Sequence, residues 1–330
     1  MQRRPTRSDV AKLCGVSVAT VSYVVNNGPK KVSEETRQRV LQTIKKLDYR
    51  PNLIARSLKT RRTHIIGLVI PTIASPGMAL MASIVHETLL QHGYVVIIAN
   101  TREDCGVESN ALDLMLAQSV VGLIICPASC QESEALKRLK HHGVPIVFMD
   151  RHIPGYQADA VMTDNIKCTR QATAYLIRQG CHHILCISFS RRASSAIDRV
   201  DGFKQALQTR GIALDPEMVL VVEDPTGMRA EQAFLAHIDA FGLPDGILCT
   251  TQEIGISVLK GLRRQDIPFS RQNLVVFDAE WAKLLELPVP VVEQRLSNVA
   301  DAAVRLLLGR LDGNESPFQM ISVDAQLIVP

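Results

Sequence analysis

The chain has 330 residues, of which 46% are hydrophobic and 21% are charged, and its formal net charge is +4. This balance is typical of a soluble globular protein, and the length allows two or three domains with separate cores. No apolar run reaches the roughly 18 residues of a membrane span, and the basic N-terminus lacks the apolar stretch of a secretory signal. Eight scattered cysteines without a CxxC pair favour reduced thiols in a cytoplasmic protein over disulfides.

The charge is divided unevenly along the chain. Residues 1–63 contain 15 Lys/Arg against 4 Asp/Glu, whereas residues 64–330 contain 22 against 29. Such an asymmetry predicts that the first part contacts a polyanion and that the remainder does not. A solvated basic tail would have the same charge, so the pattern of residues within the segment has to decide between the two.

The N-terminal segment begins with the signals of a first helix. Thr6 predicts an N-cap, with Asp9 three residues later as its partner in a capping box. Gly15 follows the helix, where a tight turn requires a positive φ that glycine adopts without steric cost. Three apolar side chains of this helix are expected to form an inward stripe, namely Val10, Ala11 and Leu13.

Two more helices follow in the same segment. Ser17 is expected to cap the second helix, and Ser33 begins the third, with Glu34 and Glu35 at its positive end. The second helix should pack inward through Ala19, Val21, Val24 and Val25. The third has apolar residues at helical spacing, at Val40, Leu41, Ile44 and Leu47.

Two short helices joined by a tight turn and supported by a third form a helix-turn-helix unit. The second helix of such a unit enters the major groove of DNA by its N-terminal end. A purely structural three-helix module would not need the strong positive charge of this segment.

The stretch DVAKLCGVSVATVSYVVNNGPKKVSEETRQRVLQTIKKLDYRPNLIARSLKTRRTHIIGLVIP resembles the N-terminus of the LacI/GalR family of bacterial repressors. Weaker similarity continues in FMDRH, VMTDN, DRVDGFKQAL and VVFDAEW. The resemblance implies a cytoplasmic, homodimeric transcriptional repressor that binds pseudo-palindromic double-stranded operator DNA and responds to a small sugar or sugar-phosphate effector. It also implies the fold class, a small all-α helix-turn-helix domain plus an α/β two-lobe core with parallel sheets, like periplasmic binding proteins.

The family pattern assigns base reading to Val18, Ala19 and Tyr23 on the second helix. Val18 and Ala19 can contact a thymine methyl group, and Tyr23 can form one hydrogen bond with a base edge. Many members carry Arg in place of Tyr23, so the operator sequence is not fixed by the resemblance; packing of Tyr23 against the third helix is the alternative. The expected DNA contacts in this unit are Thr6, Ser17, Val18, Ala19, Thr20, Ser22, Tyr23 and Asn26, with the hydroxyls of Thr20 and Ser22 directed at phosphates.

A short basic segment follows the helix-turn-helix. Pro51 ends the preceding helix, and Asn52 is expected to cap a helix that runs to Lys59. About two turns are too few for an isolated helix, so this one should fold only on DNA. The resemblance makes it the hinge helix, with Leu58 as a wedge in the minor groove; the alternative is a flexible basic linker. Its expected DNA contacts are Asn52, Ala55, Arg56, Leu58 and Lys59.

From His64 onward, short Val/Ile-rich runs alternate with amphipathic stretches. Runs such as IIGLVIP, YVVIIAN, VVGLIICP, VPIVFMD, HILCISF, MVLVVED, GILCT and NLVVFD are typical of buried parallel strands, and repeated βαβ order predicts doubly wound sheets. We therefore expect a DNA-binding domain at 1–50, a hinge at 51–63 and a core at 64–330. The resemblance implies that the last strands recross between lobes, giving one lobe at 64–161 plus 290–322 and another at 164–288 plus 323–330.

Ligands of such sheets bind outside the carboxyl ends of the strands. Paired carboxylates and guanidinium groups suit a sugar, although each could instead be a helix cap or an ion pair. The candidate effector residues are Ser75, Met78, Asp150, Arg151, Asp164, Arg192, Arg199, Thr251, Gln252 and Asp278. Arg199, expected to open a helix, and Asp278 match the family pattern best.

The chain also departs from that pattern. Gly77 and Met78 stand where aromatic residues are frequent, and Thr251 and Gln252 replace Asn-Asp, so an aromatic platform is missing or supplied elsewhere. Arg192 and its neighbour Arg191 favour a phosphorylated or acidic sugar. The motifs IGLVIP, FMDRH and VVEQR are similar to the fructose and sucrose repressors, which suggests fructose or a fructose phosphate.

Signatures of enzymes are missing from the sequence. No GxxxxGK[ST], GxGxxG or GxSxG motif is present, and the CHH triplet at 181–183 is poorly arranged for a metal. We therefore expect no catalytic residue, cofactor or metal. A cytoplasmic sugar-binding protein or enzyme with a basic extension, or a nonspecific DNA protein, remains the alternative. The absence of a leucine heptad tail favours a dimer over a tetramer.

Overall fold

The computed structural model describes residues 5–25, 32–47, 63–223, 229–267, 273–279, 281–282 and 289–329. The chain divides into two compact units, Met1–Thr63 and His64–Pro330. The described part of the first unit contains three helices, α1 (Arg7–Cys14), α2 (Val18–Val25) and α3 (Glu34–Lys46).

The capping and turn signals of the first unit are confirmed. Thr6 caps α1 in a capping box with Asp9, Gly15 ends it with a φ of 63°, and Ser33 caps α3. These local interactions fix where each helix begins and ends, because helix termini leave backbone groups without intrahelical partners. The buried side chains of the three helices are Val10, Ala11, Cys14, Val21, Val24 and Val40, which form one small core.

Three of the predicted inward residues point outward instead. Leu13 is 57% exposed and Leu41 is 41% exposed, and Ala19 is also exposed. Cys14, four residues after Val10, completes the inner stripe of α1 in place of Leu13. On α3 the inner face is set by Val40, and Leu41 lies about 100° around the helix from it.

The second unit contains two six-stranded sheets. The first has the order β11-β5-β4-β3-β1-β2 and is entirely parallel. Its strands are β1 (Ile65–Ile70), β2 (Val95–Asn100), β3 (Gly122–Ile125), β4 (Ile146–Met149), β5 (Asp159–Thr163) and β11 (Met320–Val323).

The second sheet has the order β12-β10-β9-β8-β6-β7, and only the β10–β12 pair is antiparallel. Its strands are β6 (Ile184–Ser188), β7 (Val219–Val221), β8 (Gly246–Cys249), β9 (Leu274–Phe277), β10 (Val291–Glu293) and β12 (Gln326–Ile328). We call the parts built on the two sheets the first lobe and the second lobe. The predicted two-lobe α/β class with parallel sheets is therefore confirmed.

Helices connect the strands of both lobes. The described helices of this unit are α4 (Pro76–Gln91), α5 (Cys105–Ala117), α6 (Glu134–His141), α7 (Asn165–Arg178), α8 (Ser194–Thr209), α9 (Ala230–Phe241), α10 (Gln252–Arg264) and α11 (Leu296–Leu311). Helix α8 begins five residues before Arg199, so the prediction that Arg199 opens this helix is wrong.

The chain passes between the lobes three times. It leaves the first lobe after β5, returns between β10 and α11, and leaves again between β11 and β12. Residues 290–293 were assigned to the first lobe from the sequence. Strand β10 instead pairs in parallel with β9 of the second sheet, and α11 packs against the first, so the return falls after Glu293.

Edge positions explain why one predicted buried strand is not buried. Strand β2 forms an edge of the first sheet, and Val95, Ile97 and Ile98 are exposed. The central strands β1, β3, β4, β6, β8 and β9 are almost wholly buried, as their continuous apolar runs predict.

No single helix among the described residues is long and apolar enough to cross a membrane. Helices α1 and α2 reach the length and hydropathy of a membrane span only when they are counted together, and the angle between them is 107°. All eight cysteines are free thiols.

Close packing of α7 on α8 gives a first prediction. A Cβ at Gly202 would press on the backbone carbonyl of Ile166 and lie 3.0 Å from the Thr169 Cβ. Gly202→Ala should therefore destabilise the protein by about 1–3 kcal/mol, as overpacking does. Gly309→Ala on α11 is the matched control, because its nearest neighbour would be 3.8 Å away, and it should gain about 0.5–1 kcal/mol from helix propensity. Urea denaturation measures both, and equal effects would contradict the packing argument.

Candidate functional site

Helix α2 presents the predicted base-reading residues on its surface. Ser17 Oγ accepts a hydrogen bond from Thr20 N at 3.0 Å and so caps the helix. Val18 is 47% exposed, Ala19 is exposed and Tyr23 is 36% exposed. The opposite face carries Val21 and Val24 into the core. The helix therefore has one buried apolar face and one exposed face that carries apolar and phenolic groups.

Hydroxyl groups near this surface are partly engaged within the unit. Ser17 Oγ and Thr20 Oγ1 are 2.8 Å apart, and Ser22 Oγ accepts a hydrogen bond from Arg7 Nη1 at 3.3 Å. Thr6 Oγ1 donates to the Asp9 carboxylate at 2.6 Å, which gives Thr6 a structural role in the capping box. The remaining predicted DNA contacts lie outside the described residues; these are Asn26, Asn52, Ala55, Arg56, Leu58 and Lys59.

The second unit has a cavity of about 80 Å³ at the carboxyl ends of the strands, which we call the inner cavity. Eight of the ten predicted effector residues line it, namely Ser75, Met78, Asp150, Arg151, Arg199, Thr251, Gln252 and Asp278. The first four come from the first lobe and the last four from the second. The rule that ligands bind beyond strand ends therefore predicted residues that lie in one cavity, although they come from two lobes.

Arg199 is held in the inner cavity by the second lobe. Its Nε donates to Asn165 Oδ1 at 2.8 Å, its Nη1 to the Thr250 carbonyl and its Nη2 to Gln294 Oε1 at 3.0 Å. The guanidinium also lies 4.3 Å from the centre of the Phe277 ring. These contacts fix the plane of a side chain that is only 4% exposed, so its remaining hydrogens face the cavity in a set direction.

Arg151 is held in the same way by the first lobe. Its two terminal nitrogens donate to the two carboxylate oxygens of Glu103, each at 2.7 Å, and Nη1 also contacts the Pro127 carbonyl. Its Nε lies 3.7 Å from Asp150 Oδ2. A buried guanidinium needs such pairing, because an uncompensated buried charge costs several kcal/mol.

Asp278 faces Arg199 from the end of β9. Its oxygens accept hydrogen bonds from the backbone N of Gln294, at 3.0 Å, and from the Gln294 side-chain amide. Burial raises the pKa of the Asp278 carboxyl, and the hydrogen bonds from Gln294 and the charge of Arg199 oppose that rise. Gln294 therefore links Arg199 and Asp278 into one polar network.

Backbone strain marks the cleft. Positive φ angles occur at six described non-glycine residues, and four of these line the cleft, namely Arg102, Glu103, Asp150 and Asp278. Such left-handed conformations cost about 1–3 kcal/mol for most side chains and persist only where the surroundings impose them. Asp150 and Asp278 follow β4 and β9 directly, and this conformation turns their carboxylates into the cavity.

Two of the predicted effector residues do not line the inner cavity. Asp164 caps helix α7, where its Oδ1 accepts a hydrogen bond from Lys167 N at 3.0 Å, and it lines neither cavity of the cleft. Asp164 is therefore a helix cap, which was the alternative given for polar residues at strand ends. Arg192 lies in a second, adjacent cavity of about 270 Å³, which we call the outer cavity.

Both lobes line the outer cavity, at the side of the cleft where β2 and β7 end. Its lining residues are Arg102, Glu103, Asp104, Cys105, Ala128, Phe189, Ser190, Arg192 and Glu223. Glu103 and Phe189 also line the inner cavity. Phe189 therefore supplies the aromatic surface that Gly77 and Met78 do not.

Several site residues were missed from the sequence. Glu103 comes shortly after β2 and Gln294 directly after β10, so the strand-end rule would have found both. Ser195 and Glu253 instead lie in the first turns of α8 and α10. Glu253 Oε1 is buried without a hydrogen-bond partner in the described part of the chain, so it is an acceptor that a ligand hydroxyl can satisfy.

Comparison with known proteins decides the family. A model of bacterial regulatory proteins of the lacI family matches residues 6–52, and a model of periplasmic binding proteins and the sugar-binding domain of the LacI family matches residues 63–282. The chain belongs to the LacI family. The sucrose operon repressor of Klebsiella pneumoniae is 32% identical over 94% of this chain and 93% of that protein.

Solved structures of the LacI family have the same architecture. A complex of the transcriptional regulator CelR with cellobiose has a TM-score of 0.73 and 28% identity, and covers 99% of both chains. The lac repressor dimer bound to operator has a TM-score of 0.86, 21% identity, and covers 99% of this chain and 98% of that chain. The lacI-family match over residues 6–52 and the similarity to curated repressors make this chain a member of a family of DNA-binding transcriptional regulators.

A buried carboxylate beneath the cleft gives a pH prediction. Glu108 is 4% exposed, and its Oε2 accepts a hydrogen bond from Ala128 N at 2.7 Å. Burial raises the pKa of Glu108 above its ordinary value of 4.5, against the opposing hydrogen bond from Ala128 and the charge of Arg151. The folded chain then binds this proton more tightly than the unfolded chain does, so stability falls as the pH rises from 4.5 through the raised value.

Glu108→Gln keeps the acceptor for Ala128 N and removes the charge. We expect the variant to be more stable than the parent at pH 7, with an advantage that shrinks toward zero as the pH falls to 4.5. Melting temperatures between pH 4.5 and pH 8 measure this, with the exposed Glu132→Gln as the control. An advantage that grows at low pH would contradict the assignment.

Proposed function

We propose that this chain is a cytoplasmic repressor that binds a pseudo-palindromic operator as a homodimer, with an operator affinity set by a small sugar or sugar derivative in the cleft. One observation carries the proposal: a LacI-type reading helix with an exposed Val18, Ala19 and Tyr23 occurs in the same chain as a two-lobe cleft with buried, paired charges. We assign no catalytic role to the chain.

The DNA half of the proposal follows from chemistry at α2. Val18 and Ala19 suit the methyl group of thymine, and the Tyr23 hydroxyl suits one hydrogen bond to a base edge. The expected contacts of Asn52, Ala55, Arg56, Leu58 and Lys59 would add phosphate binding and a minor-groove wedge.

A homodimer accounts for the exposed edge of the first lobe. Val95, Ile97 and Ile98 are exposed on the edge strand β2, and Leu80 and Leu90 are exposed on α4 beside it. An exposed apolar edge strand favours pairing with another chain, and in a two-fold dimer the same patch of a second copy covers it. A two-fold dimer reads two half-sites, which makes the operator a pseudo-palindrome.

The effector half follows from the origin of the cavity lining. Asp150 and Arg151 come from the first lobe, whereas Arg199 and Asp278 come from the second. A ligand that contacts both pairs favours one relative arrangement of the lobes, and coupling of this kind is typically about 1–3 kcal/mol, or 5–150-fold in affinity.

Selection from random double-stranded DNA by the full-length protein tests the DNA half. We expect recovery of an inverted repeat, and Tyr23→Ala should change the preferred base at one position in each half-site. Lys59→Ala should instead weaken all sites alike and lower the salt slope by about 0.9, as loss of one phosphate contact does. Recovery of no preferred sequence would refute the proposal, and equal weakening of all sites by Tyr23→Ala would refute its assigned role.

A thermal-shift panel tests the effector half with D-fructose, sucrose, D-ribose and cellobiose added to the full-length protein. A bound ligand at 100 times its dissociation constant should add about 2.7 kcal/mol of stability and change operator affinity. Asp278→Asn should abolish the stabilisation by ligand and preserve operator binding without ligand. The control Asp239→Asn, at an exposed position, should keep the stabilisation by ligand. A full response in Asp278→Asn would contradict the assigned site.

A further inference from the structure

The inner and outer cavities adjoin each other, and Glu103 and Phe189 line both. We propose that the outer cavity is an anion subsite, which receives a phosphate or carboxylate group of the effector on Arg102 and Arg192 while its hydroxyl-bearing part occupies the inner cavity. This inference rests on the proposed function, and it selects sugar phosphates and sugar acids over neutral sugars.

The inner cavity is unsuited to an anion. Its lining contains the carboxylates of Glu103, Asp150, Glu253 and Asp278 against two guanidinium groups, those of Arg151 and Arg199. All three nitrogens of Arg199 already donate to protein oxygens, and both terminal nitrogens of Arg151 donate to Glu103. An added negative charge would meet more carboxylates than guanidinium groups in a poorly solvated space, where like charges repel strongly.

The outer cavity differs from the inner cavity in the state of its cations. Within the described residues, the guanidinium groups of Arg102 and Arg192 take part in no hydrogen bond or ion pair, and both are exposed to the cavity mouth. Arginine forks of this kind match phosphate and carboxylate oxygens in a bidentate manner.

The acidic residues of the outer cavity are occupied by protein donors. Both oxygens of Glu103 accept from Arg151 at 2.7 Å, and Asp104 Oδ1 accepts from Val107 N at 2.8 Å. Glu223 Oε1 accepts from the backbone N of Arg191 at 3.1 Å. Each of these carboxylates therefore accepts at least one hydrogen bond from the protein, whereas the two guanidinium groups have no hydrogen-bond or ion-pair partner among the described residues.

The backbone holds both arginines in place. Arg102 has a φ of 54° and Glu103 has a φ of 61°, so the loop after β2 adopts a conformation that few side chains favour. The backbone N of Arg192 donates to Ser190 Oγ at 3.0 Å, and its carbonyl accepts from Cys130 N of the first lobe at 2.9 Å. These contacts fix the backbone from which the two side chains extend.

Helix α8 adds positive potential beside Arg192. It starts at Ser194, and its N-cap residue is Ala193, which supplies no side-chain acceptor for the first backbone N–H groups. The helix has 16 residues, and its N-terminus carries a partial positive charge.

The position of the pair links anion binding to lobe closure. Arg102 belongs to the first lobe and Arg192 to the second. Two like charges on facing lobes repel each other, and an anion that contacts both replaces repulsion by attraction. The neutral analogue of the same sugar would fill the inner cavity without that contribution.

Calorimetry on the full-length protein tests this subsite. The probes are inorganic phosphate against chloride at equal ionic strength, and two matched pairs: D-fructose 1-phosphate with D-fructose for the phosphate arm, and D-gluconate with D-glucose for the carboxylate arm. The variants are the double substitution Arg102→Gln/Arg192→Gln and the control Arg210→Gln, which removes an exposed charge at the far end of α8.

We expect phosphate, and at least one anionic sugar, to bind the parent protein more tightly than the matched neutral probe. The double variant should lose roughly tenfold or more in affinity for these anions, the effect of removing charge-assisted hydrogen bonds. Arg210→Gln should stay within about twofold of the parent protein, because a distant surface charge is screened. Which arm responds identifies the anion as phosphate or carboxylate.

Two results would overturn the inference: no preference of the parent protein for any anionic probe, or equal anion affinity in the double variant. The second result would assign the anion to another basic surface, such as residues 1–63. Operator binding without ligand, measured on the same variants, separates this inference from the proposed function. A neutral sugar that alone controls operator affinity would refute the subsite and support the regulator, whereas a parent protein without operator preference would refute the regulator itself.

Discussion

The structure of the second unit depends on how charge is buried where the two parallel sheets end. The carboxyl ends of both sheets face one cleft, so the polar residues that follow the strands leave bulk water together. Arg199 compensates for its burial by donating hydrogen bonds to Asn165, Thr250 and Gln294. Arg151 does so by donating to both oxygens of Glu103. Each arginine joins ends of several strands, and separating these groups would leave a buried charge unpaired, which costs several kcal/mol.

Selectivity then depends on the hydrogen-bonding capacity that the protein does not use itself. The residues with the strongest charges in the inner cavity are largely satisfied by other protein groups. The hydrogen-bonding groups that remain for a ligand are single donors and acceptors, such as the buried Oε1 of Glu253 and the N–H groups of Arg199 that have no protein acceptor. A hydroxyl-rich ligand matches such a set, because each hydroxyl both donates and accepts.

Sequence patterns predicted the elements whose causes are local. The Thr6–Asp9 capping box, the Gly15 turn and the buried Val/Ile strands depend on neighbouring residues or on burial of both strand faces. Eight of the predicted effector residues line the inner cavity because strand ends converge in any parallel sheet.

Errors arose where the cause is not local. Exposure of β2 depends on its edge position, and the assignment of β10 to the second sheet depends on pairing with β9. The role proposed for Arg102 depends on which acids are already paired, and a sequence without coordinates does not contain that information. Leu13 and Leu41 were misplaced because helices this short offer several apolar stripes of nearly equal quality.

The two units also differ in their charge. The first 63 residues are strongly basic, whereas residues 64–330 carry more acidic than basic side chains. A polyanion therefore attracts the first unit and repels the second, which limits nonspecific contact between the core and DNA. Affinity for DNA then resides in a small unit whose own core has only a few buried side chains. A weak preference between lobe arrangements, of about 1–3 kcal/mol, is sufficient to alter operator binding through such a unit, because it competes with contacts of similar size.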